Sequence, residues 1–139
     1  MNASRVCGLR GRKGQALAEF ALILPVLFLL IAGIIEFGRA WNIKQVVTDA
    51  SREGARYAVV KDNAIPDAAA VETKVRERLA LGGVTTATVE VTGTWRSTAA
   101  PATVAVSTQY RMGWVGAIMK WVGGSSTITI ASTTTMRNE

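Results

Sequence analysis

The chain has 139 residues, of which 49% are hydrophobic and only 6% aromatic. It carries 16 cations against 10 acids, no histidine and a single cysteine. That inventory removes the commonest general base and metal ligand, and it excludes an internal disulfide or a cysteine-rich zinc framework.

The head of the chain holds much of the charge. Arg5, Arg10, Arg12 and Lys13 precede any long apolar run, and no acid stands among them. Without those four, 12 cations face 10 acids, so the rest is close to neutral. A basic patch for nucleic acid is therefore not expected; cations ahead of an apolar run instead set membrane orientation, with the N-terminus cytoplasmic and the C-terminal part exported.

Residues 16–35 follow, and Glu19 is their only charged residue. As a helix they rise about 30 Å, the thickness of a bilayer core. Residues 36–39 read Glu-Phe-Gly-Arg and continue without a cleavage-type run of small residues, so a retained span over about 16–36 is expected rather than a removed signal. Pro25 lacks a donor and crowds the carbonyl of Ala21, which predicts a kink or a local unwinding there.

Past the span, Ala40, Ile43, Val47, Ala50, Gly54, Tyr57 and Ala58 recur at spacings of three and four. They predict one helix running from about 16 to 60, with a small-sided stripe that packs on a sheet or another helix. Lys61, Asp62 and Asn63 predict a turn. Pro66 and Asp67 suit the start of a second helix, Val71, Val75 and Leu79 mark its inner face, and Gly82-Gly83 ends it.

The period then changes to two. Val89, Val91 and Trp95 form one run, Val104, Val106 and Tyr110 a second, and Ile128, Ile130 and Met136 a third, with turns expected at 96–101 and 123–126. The fold class is α+β: a long N-terminal transmembrane and spine helix, then a short helix and a small antiparallel β-sheet. The organisation is a basic leader at 1–14, a long helix at 15–60 and an exported head at 61–139. Trp114, Ile118, Trp121 and Val122 share a helical face between the second and third runs. They fit either an amphipathic turn touching a partner or the bilayer surface, or core for a domain short of aromatics, and the core reading is favoured.

Glu19 needs a reason. An acid within hydrocarbon costs roughly 3 kcal/mol at the bilayer centre and less near the interface. If the chain is cut after Gly14, Gln15 becomes the first residue and Glu19 the fifth. The new ammonium and the Glu19 carboxylate of a neighbouring subunit can then pair in low dielectric, where leaving either alone is expensive.

This arrangement resembles a type IV prepilin. GQALAEFALILPVLFLLIAGIIEFGRA together with ASREGARYAV resembles more closely the TadE family of minor pilins, or pseudopilins, of tight-adherence (Flp pilus) systems. The resemblance covers about 12–60 and rests on Glu19-Phe20-Ala21, Pro25, Glu36-Phe37-Gly38 and the block at 50–59 in that order; the ending ITIASTTTMRNE is also similar. It implies that Gly14 is the last leader residue read by a membrane aspartic prepilin peptidase, that Gln15 starts the mature chain, and that Glu19 contacts a neighbour's N-terminus during assembly. Gln15 departs from the bulkier or more hydrophobic first residue of many prepilins. Implied partners are the prepilin peptidase, other minor pilins, the major Flp pilin, the inner-membrane assembly platform and the lipid bilayer. The implied location is the bacterial inner membrane, with incorporation in the pilus possible after assembly.

No cofactor, metal or catalytic residue is expected. The glycines at 8–14 lack the preceding strand and the Lys-Ser/Thr step of a phosphate loop. The alternative to a pilin is an unprocessed single-pass anchored binding module, separable by cleavage after Gly14 and dependence on Glu19.

Overall fold

The computed structural model describes residues 8–60, 66–94 and 100–137, with side chains from Gly14 onward. The side chains of Arg5, Arg10, Arg12 and Lys13, the expected turn at 61–63, Trp95 and most of the turn at 96–101 lie outside the described residues.

Helix α1 spans Gly8–Val59, 52 residues, which is about 78 Å of rise. It begins earlier than the apolar pattern predicts and runs through Gly8, Gly11 and Gly14, residues that lower helix propensity without forbidding a helix. It also runs through Pro25 as unbroken α-helix, so the predicted unwinding is not observed. Proline removes one hydrogen bond, and the turns on either side of it retain theirs.

Helix α2, Ala68–Leu81, is capped by Asp67, whose carboxylate accepts from the Ala70 amide at 2.8 Å. Its other end closes where Gly83, at φ +77°, lets the Val84 amide reach back to the Leu79 carbonyl at 2.9 Å. Val71, Val75 and Leu79 are buried, as the spacing predicts.

Three strands follow: β1 at Ala87–Gly93, β2 at Pro101–Arg111 and β3 at Thr127–Arg137. They form one antiparallel sheet in the order β1-β2-β3. The α+β class holds. Register places Val89 opposite Val106 and Val91 opposite Val104, while β2 and β3 pair from Pro101 opposite Arg137 to Arg111 opposite Thr127. Helix α3, Trp114–Trp121, fills the connection at the Arg111 end of that long hairpin.

Alternation along β2 buries Ala102, Val104, Val106 and Thr108 toward the helices. The core is this face joined to Val47, Ala50, Ala55 and Ala58 of α1 and the inner face of α2. The small stripe predicted on α1 is confirmed for Val47, Ala50, Gly54 and Ala58, but Tyr57 is exposed. The buried positions run in an arc from Ala50 through Gly54, Val47, Ala58 and Ser51 to Ala55, and at about 100° per residue Tyr57 falls just past the Ala50 edge of that arc. Gly54 explains the closeness of the packing: a methyl group there would overlap Val75 Cγ2 and lie 3.3 Å from Val104 Cγ1.

Ser51 is completely buried in the same contact. Its hydroxyl bonds to the Thr48 carbonyl at 2.9 Å, Ser132 Oγ at 3.2 Å and Thr134 Oγ1 at 2.9 Å, so burial leaves it satisfied. These bonds fix β3 along α1. The opposite face of the sheet is open and polar, with Thr103 and Thr135 hydroxyls bonded at 2.9 Å across β2 and β3.

Candidate functional site

Two places on α1 carry acids that the apolar run does not explain. The first is at its start. Gly14, Gln15 and Glu19 fall within the first turns whose side chains are described, and all three are exposed. Gln15 and Glu19 are four apart and share a face, and the Gln15 amide donates to Glu19 Oε1 at 3.0 Å. Space around Gly14 is open, since a Cβ there would meet nothing within 4 Å. The three predicted residues are therefore accessible within about a turn and a half of helix, with Gln15 and Glu19 on one face. The Gly14–Gln15 bond lies inside α1. A peptidase that reads an extended chain needs that turn to open.

The second is at the far end of the apolar run. Glu36 is only 5% exposed, although its neighbours Ile35 and Phe37 face outward. Its Oε1 accepts from the Tyr110 hydroxyl at 2.8 Å and from the Gly113 amide at 2.7 Å. Tyr110 is the last residue but one of β2 and Gly113 precedes α3, so one carboxylate ties the end of the apolar run to that end of the sheet. Burial raises the Tyr110 pKa above its ordinary value, and the hydrogen bond and charge of Glu36 raise it further, against a smaller lowering by Arg39. The phenol is thereby kept as a donor.

Sequence reasoning missed this contact. It used Glu36 only as the end of the apolar run and as part of the Glu36-Phe37-Gly38 block that carries the resemblance. The available signal was an acid at the end of an apolar run, together with a tyrosine at the end of a strand. Nothing in the local pattern joined the two, because the pairing is set by the direction of β2 along α1.

The aromatic residues near this end face outward. Phe37 and Trp41 stack with ring centroids 6.0 Å apart, and both are exposed. Trp114 lines a cleft with Phe28, Ile31, Ala32, Ile35, Glu36 and Arg39. Trp114, Ile118, Trp121 and Val122 are all exposed, so the favoured core reading for them is corrected. The small Gly116 occupies the inward position instead, against Met112 and Ser126, and leaves no room for a bulky face to turn in.

From Leu17 to Phe37 the large apolar side chains are exposed, a continuous surface incompatible with water contact. Length and composition make α1 a candidate membrane span. Residues 14–56 match the family model described as TadE-like protein. Over these residues the chain is similar to that family. The match supports a Tad pilus-associated protein with a membrane anchor. The TadE-like segment contains both acids, Glu19 and Glu36, and the close-packing Gly54; it ends before α2, so the sheet and α3 lie beyond it. No curated protein and no solved structure matches the chain.

Proposed function

We propose that the chain is a minor pilin, or pseudopilin, held in the inner membrane by the apolar half of α1, with its N-terminus cytoplasmic and its head exported. A prepilin peptidase cuts it after Gly14, and the product takes part in assembly or capping of a Flp-type pilus. Its partners are other minor pilins, the major Flp pilin and the inner-membrane assembly platform; its role is structural, not catalytic. The observation that carries this reading is Glu19, an exposed acid five residues past an accessible glycine on a membrane-length helix of TadE-like sequence. Once Gln15 is the first residue, its ammonium and the Glu19 carboxylate of a neighbour form a pair in low dielectric.

A second reading, an unprocessed membrane-anchored binding module, is favoured by one feature: α1 runs unbroken across the Gly14–Gln15 bond. The intact mass and N-terminal sequence of membrane-extracted protein, from cells with and without their prepilin peptidase, separate the two. A chain beginning at Gln15 only when the peptidase is present supports the pilin. A chain still carrying Arg12-Lys13-Gly14 in peptidase-positive cells leaves the anchored module.

A further inference from the structure

Helix α3 has an arrangement that neither the span nor the sheet requires. At about 100° per residue, Trp114, Ile118, Trp121 and Val122 lie on the side opposite Gly116. Gly116 packs on Met112 and Ser126, so this apolar stripe points away from the head. Trp114 is 71% exposed and Trp121 89%. Lys120, the one charged residue of α3, falls on the Gly116 side, and it lines a shallow cleft there with Arg111. The helix thus has an apolar outer face and a cationic edge beside the head.

Its height is fixed independently. The Gly113 amide just before α3 bonds to Glu36, one residue beyond the apolar run, and Trp114 shares a cleft with Ile31 and Ile35 of the span's last turns. The stripe therefore begins level with the edge of the hydrocarbon and is continuous with the lipid-facing surface of α1. Phe37 and Trp41 add two more exposed rings at the same end. Aromatic rings at this depth sit well among lipid headgroups.

We propose that α3 is an interfacial membrane helix: its Trp114–Trp121 face lies in the headgroup zone of the leaflet from which α1 emerges, so the head is seated on the bilayer rather than held off it on a stalk. The inference rests on α1 spanning a bilayer. A second copy of the head offers a poor mate for this stripe, because the open sheet face among the described residues is lined by polar and small side chains such as Thr103, Ala105, Thr133 and Thr135. The Glu36 carboxylate, by holding Tyr110 and Gly113, sets the height of α3 and acts as a positioning residue.

The test uses the full chain in vesicles of phosphatidylcholine and phosphatidylglycerol whose acyl chains carry bromine at a shallow or a deep position. Single-tryptophan variants keep Trp114 or Trp121 and replace the other three by Phe; Phe28→Trp and Leu81→Trp, in a background with all four replaced, report the span and the end of α2, which lies beside Val46 about 15 Å of helix past Glu36. Shallow bromine should quench most of the Trp114 and Trp121 emission, deep bromine should quench Phe28→Trp, and Leu81→Trp should be unaffected. Quenching of Phe28→Trp without quenching of Trp114 and Trp121 overturns the seating of α3 while the span stands. Blue-shifted but unquenched Trp121 emission overturns it in favour of a protein partner. An unquenched Phe28→Trp overturns both the seating and the span. Wild-type chain in vesicles containing a lipid with a photoreactive group near the headgroup provides a check without substitution. Adducts are expected on the tryptic fragment between Arg111 and Lys120, and adducts confined to the span overturn the proposal.

Discussion

Tyr110 donates its hydroxyl hydrogen to Glu36 Oε1 at 2.8 Å, joining residues 74 apart in the chain. The same oxygen accepts the Gly113 amide at 2.7 Å. The bond couples the apolar half of α1 to the end of β2 and to the start of α3. Truncation at Glu36 leaves a hydroxyl and a backbone amide without their acceptor, so Glu36→Ala should cost about 3–6 kcal/mol locally, from two hydrogen bonds to a charged group. Tyr110→Phe removes one donor and should cost about half of that. Hydrogen exchange in detergent reads this directly. The Gly113 amide should exchange faster in Glu36→Ala, with the Val104 and Val106 amides unchanged; equal Gly113 protection in both proteins would falsify the assigned acceptor.

The phenol titration follows from the same contact. Burial first, then the bond to Glu36 and its charge, raises the Tyr110 pKa above the ordinary 10.0. In the unfolded chain the phenol ionises near that ordinary value, so the folded state holds its proton more tightly. This contribution to stability is fully present below pH 10.0 and is lost as pH rises through the folded value. Glu36→Gln removes the charge and should bring Tyr110 ionisation back toward ordinary. Tyr57 is the only other tyrosine, so an ultraviolet difference titration with Tyr110→Phe as the subtracted reference isolates Tyr110. A wild-type Tyr110 that ionises no later than it does in Glu36→Gln contradicts the geometry.

The order of elements was readable because each had a local signature. The apolar length of α1, the inner face Val71, Val75 and Leu79 of α2, and the period-two valines of β1 and β2 all follow from the residues next to them. The bond between Glu36 and Tyr110 was not readable, since it depends on β2 running down α1 toward the membrane end. The orientation of 114–122 failed for a related reason. An apolar stripe at helical spacing looks the same whether it faces a core or lipid, and the deciding residue is Gly116, whose small size brings that side of α3 against Ser126. At the other acid the sequence supplied Gly14, Gln15 and Glu19 as a group, and the structure added the side-chain bond between the last two.

Gly54 sets the distance between α1 and its two neighbours. Added there, a methyl group overlaps Val75 Cγ2 and crowds Val104. Alanine favours a helix over glycine by about 1 kcal/mol, but overpacking a tight contact costs about 1–3 kcal/mol. The expected result is therefore a lower melting temperature for Gly54→Ala, despite better helix propensity. Removing the obstructing methyls should relieve it, so Gly54→Ala with Val75→Ala should be less destabilised than the sum of the single changes. Thermal melts of the four proteins in one detergent complete the cycle. Strict additivity would show that the two side chains do not meet.

The assembly role proposed for Glu19 competes with the bond it already makes. In the single chain the Gln15 amide occupies Glu19 Oε1 at 3.0 Å, on an exposed helix face. Such a pair is worth about 0.2–0.5 kcal/mol. Stranding one member of a buried ion pair between subunits costs about 3–5 kcal/mol, so the local bond should yield when a neighbour's ammonium arrives. Three variants separate these effects. Glu19→Ala should insert and be cut normally yet fail to enter assembled pili, and Glu19→Gln should fail nearly as badly, because it keeps a hydrogen-bonding oxygen but loses the charge. Gln15→Ala should assemble at least as well as wild type, since it removes only the weak competitor. Immunoblots of membrane and sheared-pilus fractions, with the chain's cleavage checked by mass, measure all three. Normal assembly of Glu19→Gln sinks the ion pair and leaves a neutral hydrogen bond. A Gln15→Ala protein that is cut but fails to assemble makes the side-chain amide itself part of the contact.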